Sequence, residues 1–111
     1  MDSKLLVIIA TGSEEKAIAG LMYTRNAIRN RWVDDVKVVF FGPSEELVAT
    51  CDDKVAFFVK DIITSTTCFA CKAISDEKGV SEKLAKAGIE VAYVGTVISN
   101  LIKEGYLPMV W

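Results

Sequence analysis

Leu5-Leu6-Val7-Ile8-Ile9-Ala10, then Thr11-Gly12-Ser13 and the charged start Glu14-Glu15-Lys16, is the stretch from which the fold is read. The apolar run is continuous, not alternating, which predicts a strand covered on both faces, as in a parallel sheet. After Ser13 the apolar residues Ile18, Leu21, Met22 and Ile28 return at helical spacing and predict a helix over 13–31 with those four on its buried stripe. Glu14 and Glu15 fall in its first turn, where the helix dipole favours negative charge. A doubly covered strand running straight into a helix is half of a βαβ unit.

The same alternation continues outward. Residues 36–41, Val36-Lys37-Val38-Val39-Phe40-Phe41, predict a second strand, ended by Gly42-Pro43-Ser44 with proline at a helix start. The helix that follows carries Glu45-Glu46-Leu47-Val48, with a break expected near Cys51-Asp52-Asp53 and resumption through Val55, Phe58, Val59 and Ile62. Residues 66–70 predict a third strand and 80–87 a third helix closed by Gly88. A fourth strand is expected over 89–94, then Gly95 as punctuation and a last helix striped by Val97, Ile98, Leu101 and Ile102. A final strand over 106–111 contains Pro108, which suits a sheet edge. The order βαβαβαβαβ predicts one domain over residues 1–111, a three-layer α/β/α sandwich around a five-stranded, mainly parallel sheet, flavodoxin-like in outline.

Composition excludes several functions. With 13 basic and 15 acidic side chains the net charge is −2, which argues against a nucleic-acid partner. Arg25, Arg29 and Arg31 are a local basic cluster that reads as a solvated helix face. The run at 5–10 is too short to span a bilayer, and no basic segment precedes it as in a signal peptide, so a cytoplasmic protein without a membrane partner is expected. Its three cysteines, an odd number, suit a reducing compartment. Histidine is absent, which removes histidine-assisted nucleophiles and histidine metal ligands. Cys51, Cys68 and Cys71 alone cannot complete a four-cysteine zinc site, and no cofactor or metal is expected.

In a parallel sheet the strand C-terminal ends share one edge. Here they bring together Ala10-Thr11-Gly12-Ser13, Phe41-Gly42-Pro43-Ser44, Ala70-Cys71-Lys72 and Val94-Gly95-Thr96, so Thr11, Gly12, Gly42, Lys72 and Gly95 are pocket candidates. A phosphate loop at Thr11-Gly12-Ser13 is a weak reading, because Glu14 and Glu15 would repel the anion. Cys68 and Cys71 form a C-x-x-C, but Cys68 falls inside the expected strand, unlike a helix-start dithiol. Cys68 is kept as a pocket candidate beside its plain reading as a small buried hydrophobe, the reading that also suits Cys51. Cys71 stands where strand passes into helix, and backbone N–H groups and Lys72 there favour a thiolate nucleophile.

Ala70-Cys71-Lys72 through Asp76 to Gly79-Val80 and Ser81-Glu82-Lys83-Leu84 resembles the cysteine segment of the DsrE/DsrF-like family, which includes TusD-type sulfur-relay subunits. Val38-Val39-Phe40-Phe41-Gly42-Pro43-Ser44, Gly88-Ile89-Glu90-Val91 with Tyr93-Val94-Gly95, and 101–106 are similar to other parts of the same family. The resemblance implies a three-layer fold, homo-oligomers of three or six chains, and a cysteine that accepts sulfane sulfur as a persulfide and passes it to a partner protein. Register to Gly79 assigns that role to Cys71. Some relatives carry a second cysteine where this chain has Ile74, and an arginine where it has Lys78. The alternative reading is a non-enzymatic oligomeric binding or scaffold module with inert cysteines.

Overall fold

The computed structural model describes residues 2–50 and 53–111. Strands β1 (Lys4–Ile9), β2 (Asp35–Phe40), β3 (Cys68–Cys71), β4 (Glu90–Ala92) and β5 (Leu107–Val110) form one all-parallel sheet in the order β4-β3-β2-β1-β5. The helices are α1 (Glu14–Arg29), α2 (Ser44–Ala49), α3 (Asp53–Ile62), α4 (Lys72–Lys78), α5 (Ser81–Lys86) and α6 (Val94–Lys103).

This order dictates where the helices go. From β1 to β4 each step moves one strand in the same direction, and right-handed crossovers then put the connecting helices on one face. The step from β4 to β5 returns across the sheet, so α6 covers the other face. Side-chain alternation agrees: Leu5, Val7, Ile9, Val38, Phe40, Cys68 and Ala70 pack with Leu21, Val55, Val59, Ile62 and Leu84. Their neighbours Leu6, Ile8, Val39 and Cys71 pack with Val94, Leu101 and Tyr106 on the opposite face. The result is the expected three-layer α/β/α domain of flavodoxin-like outline, and β1, buried at five of six positions, is the doubly covered strand its apolar run predicts.

Boundaries and faces differ in places. The buried stripe of α1 is Ala17, Gly20, Leu21, Thr24 and Ala27, while Met22 is 46% exposed. Close approach explains this: a Cβ on Gly20 would lie 2.7 Å from Ile9 Cδ1 and from the Trp111 ring, so small residues form the contact and larger apolar ones flank it. Phe41 falls outside β2 and is exposed. The third strand begins later than expected because Thr66 turns its hydroxyl to the Val36 carbonyl at 2.6 Å, and it extends through Cys71. Two helices, α2 and α3, replace the interrupted one, and the break itself, with Cys51, lies outside the described residues. The fourth strand stops at Ala92, since Tyr93 caps α6 and Gly95 lies inside its first turn, not in a loop. Strand β5 takes the edge beside β1, where Pro108 is tolerated.

Candidate functional site

The connections after β3 and β4 leave the sheet toward opposite faces. Such a divergence between neighbouring strands opens a crevice outside their C-terminal ends, and this is where open α/β sheets bind ligands. Cys71 is the last residue of β3, paired in register with Ala92, and it caps α4 with extended backbone angles of φ −70 and ψ 116. Its side chain is 7% exposed and joins the cluster on the α6 face, with Phe69 and Ile74 nearby.

Cys68 does not join it. A spacing of three in a strand turns two side chains to opposite faces, so Cys68 lies in the cluster under α1 and α3. It is 1% exposed, and burial pushes its thiol up to about 12. Both cysteines are free. The C-x-x-C is therefore no dithiol pair, and Cys68 leaves the pocket set.

Lys72 lies beside Cys71 but turns along its own helix, where its ammonium meets Asp76 at 2.7 Å. The hydrogen bond and charge of Asp76 hold Lys72 above its ordinary value, and Lys72, with the Ser81 hydroxyl, holds Asp76 below its own. The α4–α5 corner is tied further by Ser75 and Ser81, whose hydroxyls meet at 2.6 Å, and by Gly79 in the left-handed region. Gly12 and the Gly42 turn do meet. A cleft of about 340 Å³ lies at this edge, lined by Gly12, Pro43, Glu46, Leu47, Thr50 and Lys78. Thr11 closes the first loop by accepting from Ser13 N–H at 3.0 Å, and Lys78 reaches Glu46 at 3.4 Å across the cleft. Gly95 lies away from this cleft, on the helix of the opposite face.

Sequence reading missed Glu45. It is fully buried at the start of α2, where Oε2 accepts from Gly42 N–H at 3.0 Å. The Cys71 N–H also acts on this carboxyl, and Oε1 has no hydrogen-bond partner. Burial raises the Glu45 carboxyl, and the two N–H groups only partly offset it. A signal was present: a glutamate three residues after a glycine that ends a strand can reach back to that backbone, much as in a capping box. Among the described residues no group of three or more Cys, Asp or Glu side chains is placed to hold a metal.

The fold is shared with solved structures. A conserved protein of unknown function from Bacteroides thetaiotaomicron, BT1422, superposes with a TM-score of 0.83 at 24% identity, over 97% of this chain and 95% of that one. MTH1491 of Methanobacterium thermoautotrophicum, also of unknown function, gives a TM-score of 0.79 at 15% identity over 99% and 100% of the two chains. No protein-family model matches the chain, and no curated protein does. At these identities the likeness establishes the fold alone.

Proposed function

We propose that the protein is a small cytoplasmic sulfur carrier, sulfurtransferase-like in its chemistry, that works through Cys71. One observation carries this reading: Cys71 ends β3 at the divergence of the β3 and β4 connections, while the other cysteine of its strand is sealed on the opposite face. Among the described residues that leaves one thiol at the edge where α/β sheets do chemistry. The Cys71 thiolate attacks the outer sulfur of a donor persulfide R–S–SH. The donor S–S bond breaks, R–S⁻ departs and takes up a proton from water, and Cys71 holds the sulfur as Cys71–S–SH for an acceptor protein.

Tyr93, Ile102 and Val110 are exposed on or beside the face that α6 alone covers. They suit association with further copies, three or six chains, which would shield Cys71 and its persulfide from solvent. No helix among the described residues is long and apolar enough to cross a membrane.

The test is intact mass after incubation with a small-molecule persulfide donor. Wild type gains the mass of one sulfur atom and Cys71→Ser gains none; equal gain in both, or in neither, removes the proposal. The low exposure of Cys71 favours the second reading, an oligomeric binding module with inert cysteines, and absence of sulfur uptake by wild type supports that one.

A further inference from the structure

Arg25, Arg29 and Arg31 read in the sequence as a solvated helix face, but the fold seats all three around one cleft. Right-handed crossovers in a parallel sheet return each helix C-terminus to the edge where the strands begin. The cleft lies at that edge, between the end of α1 and the turn after α3, and so at the end of β3 away from Cys71. It encloses about 340 Å³, and Asp61 is its one acidic residue among those described, so three guanidiniums against one carboxylate leave its lining at a net +2.

These arginines have little else to do. The Arg25 Nε donates to Asp61 Oδ2 at 2.6 Å, and its guanidinium lies 5.1 Å and 5.9 Å from the Phe57 and Phe58 ring centres. The carboxylate and the rings fix the guanidinium plane while its Nη groups keep no partner among the described residues. Arg29 and Arg31 pair with no described carboxylate either. Nor are they needed to cap α1, because the N–H groups of Asn30, Arg31 and Trp32 already take the carbonyls of Asn26, Ile28 and Ala27. Arg31 holds a φ of 52 in that turn, a left-handed position that glycine fills without strain. A strained residue that carries the charge of a cleft points to a ligand.

A second cleft of about 410 Å³ shares Ile28, Arg31 and Ser65 with the first and continues the groove along Val33 and Val36. Its carboxylates are engaged: Asp34 accepts from the Ser3 N–H at 2.7 Å, and Asp35 from Lys37 at 2.9 Å and from Tyr106. One half of the groove therefore offers unengaged positive charge and the other an apolar wall. A phosphate monoester, close to a dianion at neutral pH, matches the first half in charge and in guanidinium geometry.

We propose that this groove binds a small phosphate monoester, with the phosphate on Arg25, Arg29 and Arg31 and an uncharged body lying across Ile28 toward Val33 and Val36. The site depends neither on Cys71 nor on sulfur transfer. Amide NMR of the isotope-labelled protein, titrated with phenyl phosphate at fixed ionic strength, tests it. Saturable shifts should centre on residues 28–31 and Ser65, and inorganic phosphate, lacking the apolar body, should bind on the order of tenfold more weakly. Arg31→Gly relaxes the turn and removes one guanidinium, so it should fold as well as wild type and bind phenyl phosphate about tenfold more weakly, the size of one charge-assisted hydrogen bond. Arg29→Gln changes an exposed side chain, should weaken binding to a similar degree, and decides the matter if the glycine variant disturbs the turn. Shifts centred elsewhere, a response that never saturates, equal affinity for the two phosphates, or wild-type affinity in a folded variant would overturn the proposal.

Discussion

The two faces of the sheet differ in how they are covered, and the two cysteines of β3 sample one each. Cys68 lies under α1 and α3, in a layer so close that glycine, alanine and threonine form the helix contact. Cys71 lies under α6, a single helix with Ile102 exposed along it and Tyr93 exposed at its start. Strand order causes the difference, because three crossovers leave on one face and only the return to β5 uses the other. A C-x-x-C in a strand is therefore two unrelated thiols, one sealed in a tight layer and one at the end of a thinly covered face.

The largest expected effect tests that contrast directly. With its thiol pushed up to about 12, Cys68 at pH 8 should alkylate about a thousandfold more slowly than a free thiol of ordinary pKa, before its burial is counted. Peptide-level labelling of the native protein should find Cys71 modified while Cys68 stays unreacted, and mild oxidation should form no bond between them. Comparable labelling of both, or a Cys68–Cys71 disulfide, would mean that β3 is not a strand through this segment.

Next in size is the tightness of the face above Cys68. Gly20→Ala gains up to about 1 kcal/mol in helix propensity, but its Cβ would meet Ile9 and the Trp111 ring at 2.7 Å. Overpacking typically costs about 1–3 kcal/mol, so after the helix gain the variant should lose up to about 2 kcal/mol net in urea unfolding. A neutral or stabilised Gly20→Ala would show that α1 and Trp111 have room to separate.

The fold was largely legible in the sequence because continuous apolar runs and helical stripes are local signals. Residues 5–10 carried the parallel sheet, and Pro108 carried the edge. The α1 stripe was read less well, since a period count of large apolar residues passes over Ala17, Gly20 and Thr24, which make the closest contacts. Of the site, Cys71 was legible from its junction. Cys68 has the buried character its place in the strand suggested; only its listing among pocket candidates falls, because three residues along a strand turn it to the face opposite Cys71. Glu45 was passed over although its reach back to the Gly42 backbone is a local pattern; only its full burial, set by packing between distant segments, is beyond any local pattern.

The smallest expected effect belongs to the open face. Gly95 lies in the first turn of α6 with φ outside the left-handed region, and a Cβ there would meet nothing within 4 Å. Gly95→Ala should therefore show the propensity gain with no packing loss, a stabilisation of about 0.5 kcal/mol, reduced from the mid-helix figure because the first turn lacks part of its hydrogen bonding. Together with Gly20→Ala it makes one substitution on two helices that cover opposite faces, with opposite signs expected in the same urea experiment. If Gly95→Ala destabilises the protein instead, space around the α6 start must be filled in solution by something other than this chain, and a second copy docked against Tyr93 and Val94 would be the first partner to examine, by light scattering of both proteins.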